Sequence, residues 1–124
     1  MKRQIFGTLA LALCVLLTLA ASSSRWQHVP AKDHLRPSPL AGHPDAAAAG
    51  ALVYREHCQQ CHKADAMGDG HKHPPLRSER IRNASDGDIE WFLRQGDLAH
   101  GMPSWSSLPE TQRWQVVAYL KSIQ

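Results

Sequence analysis

Apolar residues are distributed along this chain in three ways, and each predicts a different kind of segment. Ile5 to Ala21 is a 17-residue stretch of mostly apolar and small residues behind Lys2 and Arg3. That layout marks residues 1–21 as an export signal or an N-terminal membrane anchor. Residues 22–44 are rich in Ser, Pro and His and show no apolar period, so they read as a linker. From residue 45 to 124 apolar positions recur at helical spacing. Period-two alternation never lasts long enough to make a strand, so residues 45–124 are expected to form one all-α domain.

The helices can be placed in more detail. Asp45 followed by AAAAGALVYREH predicts a helix with Asp45 as its cap. Gly50 in its middle costs about 1 kcal/mol relative to alanine, which suggests close approach of another backbone or ring. Tyr54 lies four positions on and shares that face. Residues 63–84 carry glycines and prolines and read as a structured loop. Ser85 and Asp88 resemble a capping box for a short helix that buries Ile89, Phe92 and Leu93 and stops at Gly96. After a second loop, Pro109 and Glu110 open a last helix. Trp114, Val117, Ala118 and Lys121 fall at helical spacing there, widened by Val116 and Leu120.

A unit of roughly 80 residues rarely obtains more than about 3–5 kcal/mol from its core alone and usually carries a staple. Charge patterning adds one correction to a first impression. The whole chain has 14 basic and 11 acidic residues, but five of the basic ones and one acid precede residue 45. The domain therefore has nine basic and ten acidic residues, a net charge of −1. No basic patch interleaved with aromatics is present, which removes the usual footprint of a nucleic-acid-binding protein. Cys14 lies inside the apolar run with Leu13 before it, where a lipoprotein cleavage box wants a small residue. It reads as one more hydrophobe.

Cys58-Gln59-Gln60-Cys61-His62 is a C-x-x-C-H motif, the signature of covalent haem attachment. Residues three apart on a helical turn face the same way, so two thiols can reach two vinyl groups on one haem edge. His62 follows directly and can ligate the iron. The same two cysteines could be a redox dithiol, although the βαβ context of that motif is missing. They could also be half of a zinc site, completed by His71 and His73. The N-terminal segment, the added histidine and the all-α pattern favour haem. For the sixth iron position Met102 is the first candidate, in the irregular Gly101-Met102-Pro103 loop. Met67 is only five residues from His62, and His71, His73 and His100 are the other options.

These residues resemble the class I c-type cytochromes, through C-x-x-C-H at 58–62, Gly-Met-Pro at 101–103 and the flanking helices. The resemblance covers residues 45–124 and implies three to four short helices wrapped round one haem c. It further implies a one-electron carrier with His62 and Met102 as axial ligands, and not an enzyme. In that family the first and last helices cross closely, and Gly50, Tyr54 and Tyr119 match the positions involved. A proline carbonyl in the family accepts the ring N–H of the ligating histidine and a leucine packs on the haem; Pro75 and Leu76 are the matching residues. The lysine ring by which mitochondrial members dock their partners is not matched in this near-neutral domain.

The expected partners are redox proteins, either a membrane complex or a periplasmic dehydrogenase. Arg25 and Trp26, just after the apolar run, resemble an interfacial anchor, and a long tether suits a retained domain. The reading favours retention by residues 5–21 on the periplasmic side of the membrane, with a soluble periplasmic protein as the alternative. A haem enzyme or small-ligand sensor with an open sixth position is the competing function, with His100, His71 or His73 as distal groups.

Overall fold

A computed structural model describes residues 25–124. The segment 1–21 and Cys14, read above as an anchor or signal, lie outside the described residues. Among the described residues six α-helices follow one another: α1 (Ala31–His34), α2 (Ala46–His57), α3 (Gln59–His62), α4 (Glu79–Asn83), α5 (Asp86–Gln95) and α6 (Glu110–Ser122). Short 3-10 turns occupy Arg25–His28 and Leu98–His100. Among the described residues the only extended pairing is a single antiparallel bridge between Asp97 and Met102. No described helix is long and apolar enough to cross a membrane.

The core is the crossing of α2 and α6. A Cβ built on Gly50 would lie 1.8 Å from the Gln115 carbonyl oxygen and 2.9 Å from Tyr119 Cβ. Glycine is thus the only residue that lets the two backbones approach this closely. One turn along, the Tyr54 and Tyr119 rings meet with centroids 5.1 Å apart. Trp114, Val116, Val117 and Leu120 of α6 are buried against Tyr54, Ile89 and Leu93. Lys121 shares this stripe because its Nζ donates to the Ile81 and Arg82 carbonyls at 3.2 and 3.1 Å and to that of Ala84. A cation there complements the negative C-terminal end of α4.

The Ser85 hydroxyl accepts from the Asp88 N–H, and the Asp88 carboxylate accepts from the Ser85 N–H, so the capping box is complete. Gly96 closes α5 with φ 66°. Asp45, expected to cap α2, holds the cap position without a side-chain hydrogen bond, because its own backbone is already helical. Residues 63–84, read as loop, contain α4, capped by Ser78. Five residues are too short to show a period, which is why the helix was missed.

The stretch read as a linker departs most from expectation. Asp33 is buried and accepts from Arg94 Nη2 at 2.7 Å, and the Ser85 hydroxyl donates to the His34 carbonyl at 2.7 Å. Arg36 pairs with Glu110 and lies over the Trp114 ring. Trp26, expected at a membrane interface, stacks on Phe92 with centroids 4.6 Å apart. Residues 26–36 are therefore packed along α5, and Arg36 also reaches α6. Side-chain ion pairs and one aromatic hold them there, and none of these leaves an apolar period in the sequence.

Candidate haem site

The attachment motif folds as a continuous helical corner. Cys58 ends α2 and begins α3; its N–H donates to the Tyr54 carbonyl, and its carbonyl accepts from Cys61 and His62. This turn puts Cys58, Cys61 and His62 on one wall of a cavity of about 1220 Å³. Leu76, Ile81, Leu93 and Leu120 supply apolar surface from the remaining elements, and Met102 reaches the same cavity from the second loop. Cys61 is exposed and Cys58 half-buried, so the sulfur-bearing edge opens to solvent.

The cavity's size tests whether haem fits. Apolar side chains line much of the cavity, Leu76, Ile81, Leu93, Leu120, Phe92 and Val116 among them, and apolar surface of that extent is stabilised by covering it with a large apolar group. Two thiols and a histidine on one wall match the donors that haem c needs.

His62 is buried and its imidazole is set up as a ligand. Its Nδ1 lies 3.1 Å from the Pro74 carbonyl oxygen, which can only accept. The ring proton is therefore on Nδ1, leaving the Nε2 lone pair free for a metal. Burial holds the imidazole pKa below its ordinary value, so the ring is neutral. The partner expected from the resemblance was Pro75, and the structure corrects this to Pro74. The reason is geometric: the loop held by Asp69 turns the Pro74 carbonyl toward His62. Leu76, as expected, lines the cavity, and its N–H is turned away to the Ala66 carbonyl at 2.8 Å.

The loop that presents Pro74 is clamped by Asp69. Its carboxylate accepts the backbone N–H groups of His71 and His73, both at 2.9 Å, and contacts His73 Nδ1 at 2.6 Å. These donors hold the Asp69 carboxyl well below the usual carboxylate range. In the second loop, Met102 exchanges both backbone hydrogen bonds with Asp97, at 2.9 and 3.0 Å. Trp105 N–H donates to the Leu93 carbonyl at 2.8 Å, which pins that loop to the end of α5. His71, His73 and His100 also border the cavity. Met67 is 49% exposed and lies outside it.

The competing cysteine readings do not fit this geometry. Burial, with Cys61 adding to it, pushes the Cys58 thiol up to about 11. A redox dithiol needs the opposite shift. Among the described residues no group of three or more His, Cys, Asp and Glu is arranged to hold a metal ion, so His71 and His73 do not complete a zinc site.

Sequence reasoning missed two features of the pocket, Pro74 and Trp26. The doubled proline offered two carbonyls with no local means of choosing between them. A tryptophan in an otherwise polar stretch was a usable signal for Trp26.

A helical fold around such a site defines the class I c-type cytochrome domain. A family model described as "Cytochrome C oxidase, cbb3-type, subunit III" matches residues 45–120, and the chain belongs to this family. No curated protein and no solved structure gives a significant match. The cofactor of the domain is haem c, and domains of this family carry electrons on it.

Proposed function

We propose that this protein is a one-electron carrier whose haem is bound by thioethers to Cys58 and Cys61, with His62 Nε2 and the Met102 thioether as axial ligands. The observation that carries this reading is the convergence of both thiols, a neutral histidine with a free Nε2 and one methionine on a single cavity. Cys58 and Cys61 would hold haem covalently through their sulfurs. Haem supplies the one-electron couple, and the protein sets its potential through axial ligands, hydrogen bonds and burial. Pro74 orients His62 and raises its basicity. Met102 fills the remaining position, which suits electron transfer and opposes substrate chemistry at the iron. The solvent-open edge beside Cys61 is where electrons enter and leave.

The partners in this reading are redox proteins, a membrane complex or a periplasmic dehydrogenase, met on the periplasmic side. Residues 5–21 hold the protein to the membrane. With residues 26–36 packed along α5, only residues 22–25 separate that segment from the packed stretch, and each spans at most about 3.6 Å. The carrier then works at the membrane surface without a long tether.

An absorption spectrum of the protein, matured in a host with haem-attachment machinery, tests the reading. A low-spin reduced spectrum and a methionine–iron charge-transfer band in the oxidised form are expected. A high-spin spectrum with rapid carbon monoxide binding would overturn it in favour of a sensor or enzyme with an open sixth position.

A further inference from the structure

The family match begins at residue 45, yet the residues before it contribute to the haem pocket. Residues 26–36 run along α5, with the backbone of Asp33 and Arg36 in close contact with its first turn. A Cβ on Gly87 would lie 1.9 Å from the Asp33 carbonyl oxygen, so the first turn of α5 has no room for any side chain where the segment crosses it. Ionic contacts fix the register: Arg94 to Asp33 at 2.7 Å, His34 Nδ1 to Asp88 at 2.9 Å and Arg36 to Glu90 at 3.7 Å. Glu90 itself is 1% exposed and takes Arg113 Nε at 2.8 Å, so this end of the segment is anchored to a buried charge.

At the other end, the Trp26 ring lies almost parallel to Phe92, with an interplanar angle of 10°. Both rings border the cavity that holds Cys58, His62 and Met102. Phe92 is half-buried with Trp26 stacked on one of its faces.

We propose that residues 26–36 are a strap whose function is to place Trp26 as a wall of the haem pocket, making Trp26 a positioning residue for electron transfer. An indole there keeps water and small ligands from the side of the pocket that Phe92 lines. Exclusion of water disfavours the more highly charged oxidised iron, so the wall raises the reduction potential. The inference rests on haem occupying the cavity, which the spectrum of the unaltered protein checks separately.

The test uses full-length haem-loaded protein and imidazole as the probe. Trp26→Ala removes the wall, Trp26→Phe keeps an aromatic face, and Gly87→Ala lifts the strap without altering a residue of the cavity. Trp26→Ala and Gly87→Ala should each bind imidazole at the oxidised haem roughly 2- to 10-fold faster, the range set by losing one aromatic stack. Both should lower the reduction potential, and Trp26→Phe should restore most of each effect. If Trp26→Ala fails to load haem, Gly87→Ala against Trp26→Phe carries the same comparison. Imidazole rates and potentials that stay at the unaltered protein's values in Gly87→Ala and in haem-loaded Trp26→Ala would overturn the proposal, even if both lose thermal stability.

Discussion

His62 and Pro74 are joined by a hydrogen bond of 3.1 Å from an imidazole Nδ1–H to the carbonyl of a proline–proline amide. The bond is only as rigid as the loop carrying Pro74, and Asp69 holds that loop. Its carboxyl is depressed by the N–H groups of His73 and His71. A depressed carboxyl stabilises the fold above its ordinary pKa, and that contribution is lost as pH falls through the lowered value. Loop order should therefore persist down through the ordinary carboxylate range and fail only in stronger acid. Asp69→Ala should abolish this and speed hydrogen exchange of the His62 Nδ1–H, as read by proton NMR. An unchanged exchange rate would show that Asp69 does not hold the loop.

Gly50→Ala sets two effects against each other. Alanine is the better helix former by about 1 kcal/mol. Its Cβ, however, would lie 1.8 Å from the Gln115 carbonyl oxygen, where only backbone movement relieves the clash. Overpacking of this kind costs about 1–3 kcal/mol, so a net loss is expected. Denaturant titration should show a lower midpoint at unchanged slope. A stabilised Gly50→Ala protein would contradict the close helix crossing.

Glu90 is buried with Arg113 at 2.8 Å and Arg94 at 3.3 Å. Removing its charge strands Arg113, which is itself buried. Breaking one side of a buried pair costs about 3–5 kcal/mol, and Glu90→Gln should lose stability on that scale. The Glu90→Leu, Arg113→Met double variant should recover much of it. Equal losses in the single and double variants would mean that packing, and not the charge, is what Glu90 contributes.

Met102 and Met67 should behave differently when replaced. Met102→Ala should lose the methionine–iron band and lower the reduction potential, because His/Met ligation raises it. Met67→Ala should change neither, since Met67 lies outside the cavity. The reverse pattern in the oxidised spectrum and in redox titration would reassign the ligand.

Glu110 gives a second, milder acid dependence. The Trp114 indole N–H, 3.1 Å away, and then Arg36 hold its carboxyl below the ordinary value. Its contribution is present above the ordinary carboxylate pKa and disappears on acidification. Glu110→Gln should therefore flatten part of the pH dependence of thermal unfolding below neutrality. An unaltered profile would assign that dependence to other carboxylates.

What the amino-acid sequence determined by itself was local. The C-x-x-C-H turn, the Ser85–Asp88 capping box, the stop at Gly96 and the apolar face of α6 each rest on residues three or four apart, and each was legible without a structure. Gly50 was legible as an anomaly, since a costly glycine implied a close neighbour, although Gln115 could not be named. The tertiary structure alone decided which proline faces His62 and how the polar segment 26–36 is used. Pro74 and Pro75 are chemically equivalent until the Asp69 clamp orients their peptide. The strap is held by partners 51 to 78 residues away, Ser85 to His34 and Arg36 over Trp114 among them. Ion pairs and a single aromatic stack at such separations leave no period in the chain, and only the folded backbone brings them together.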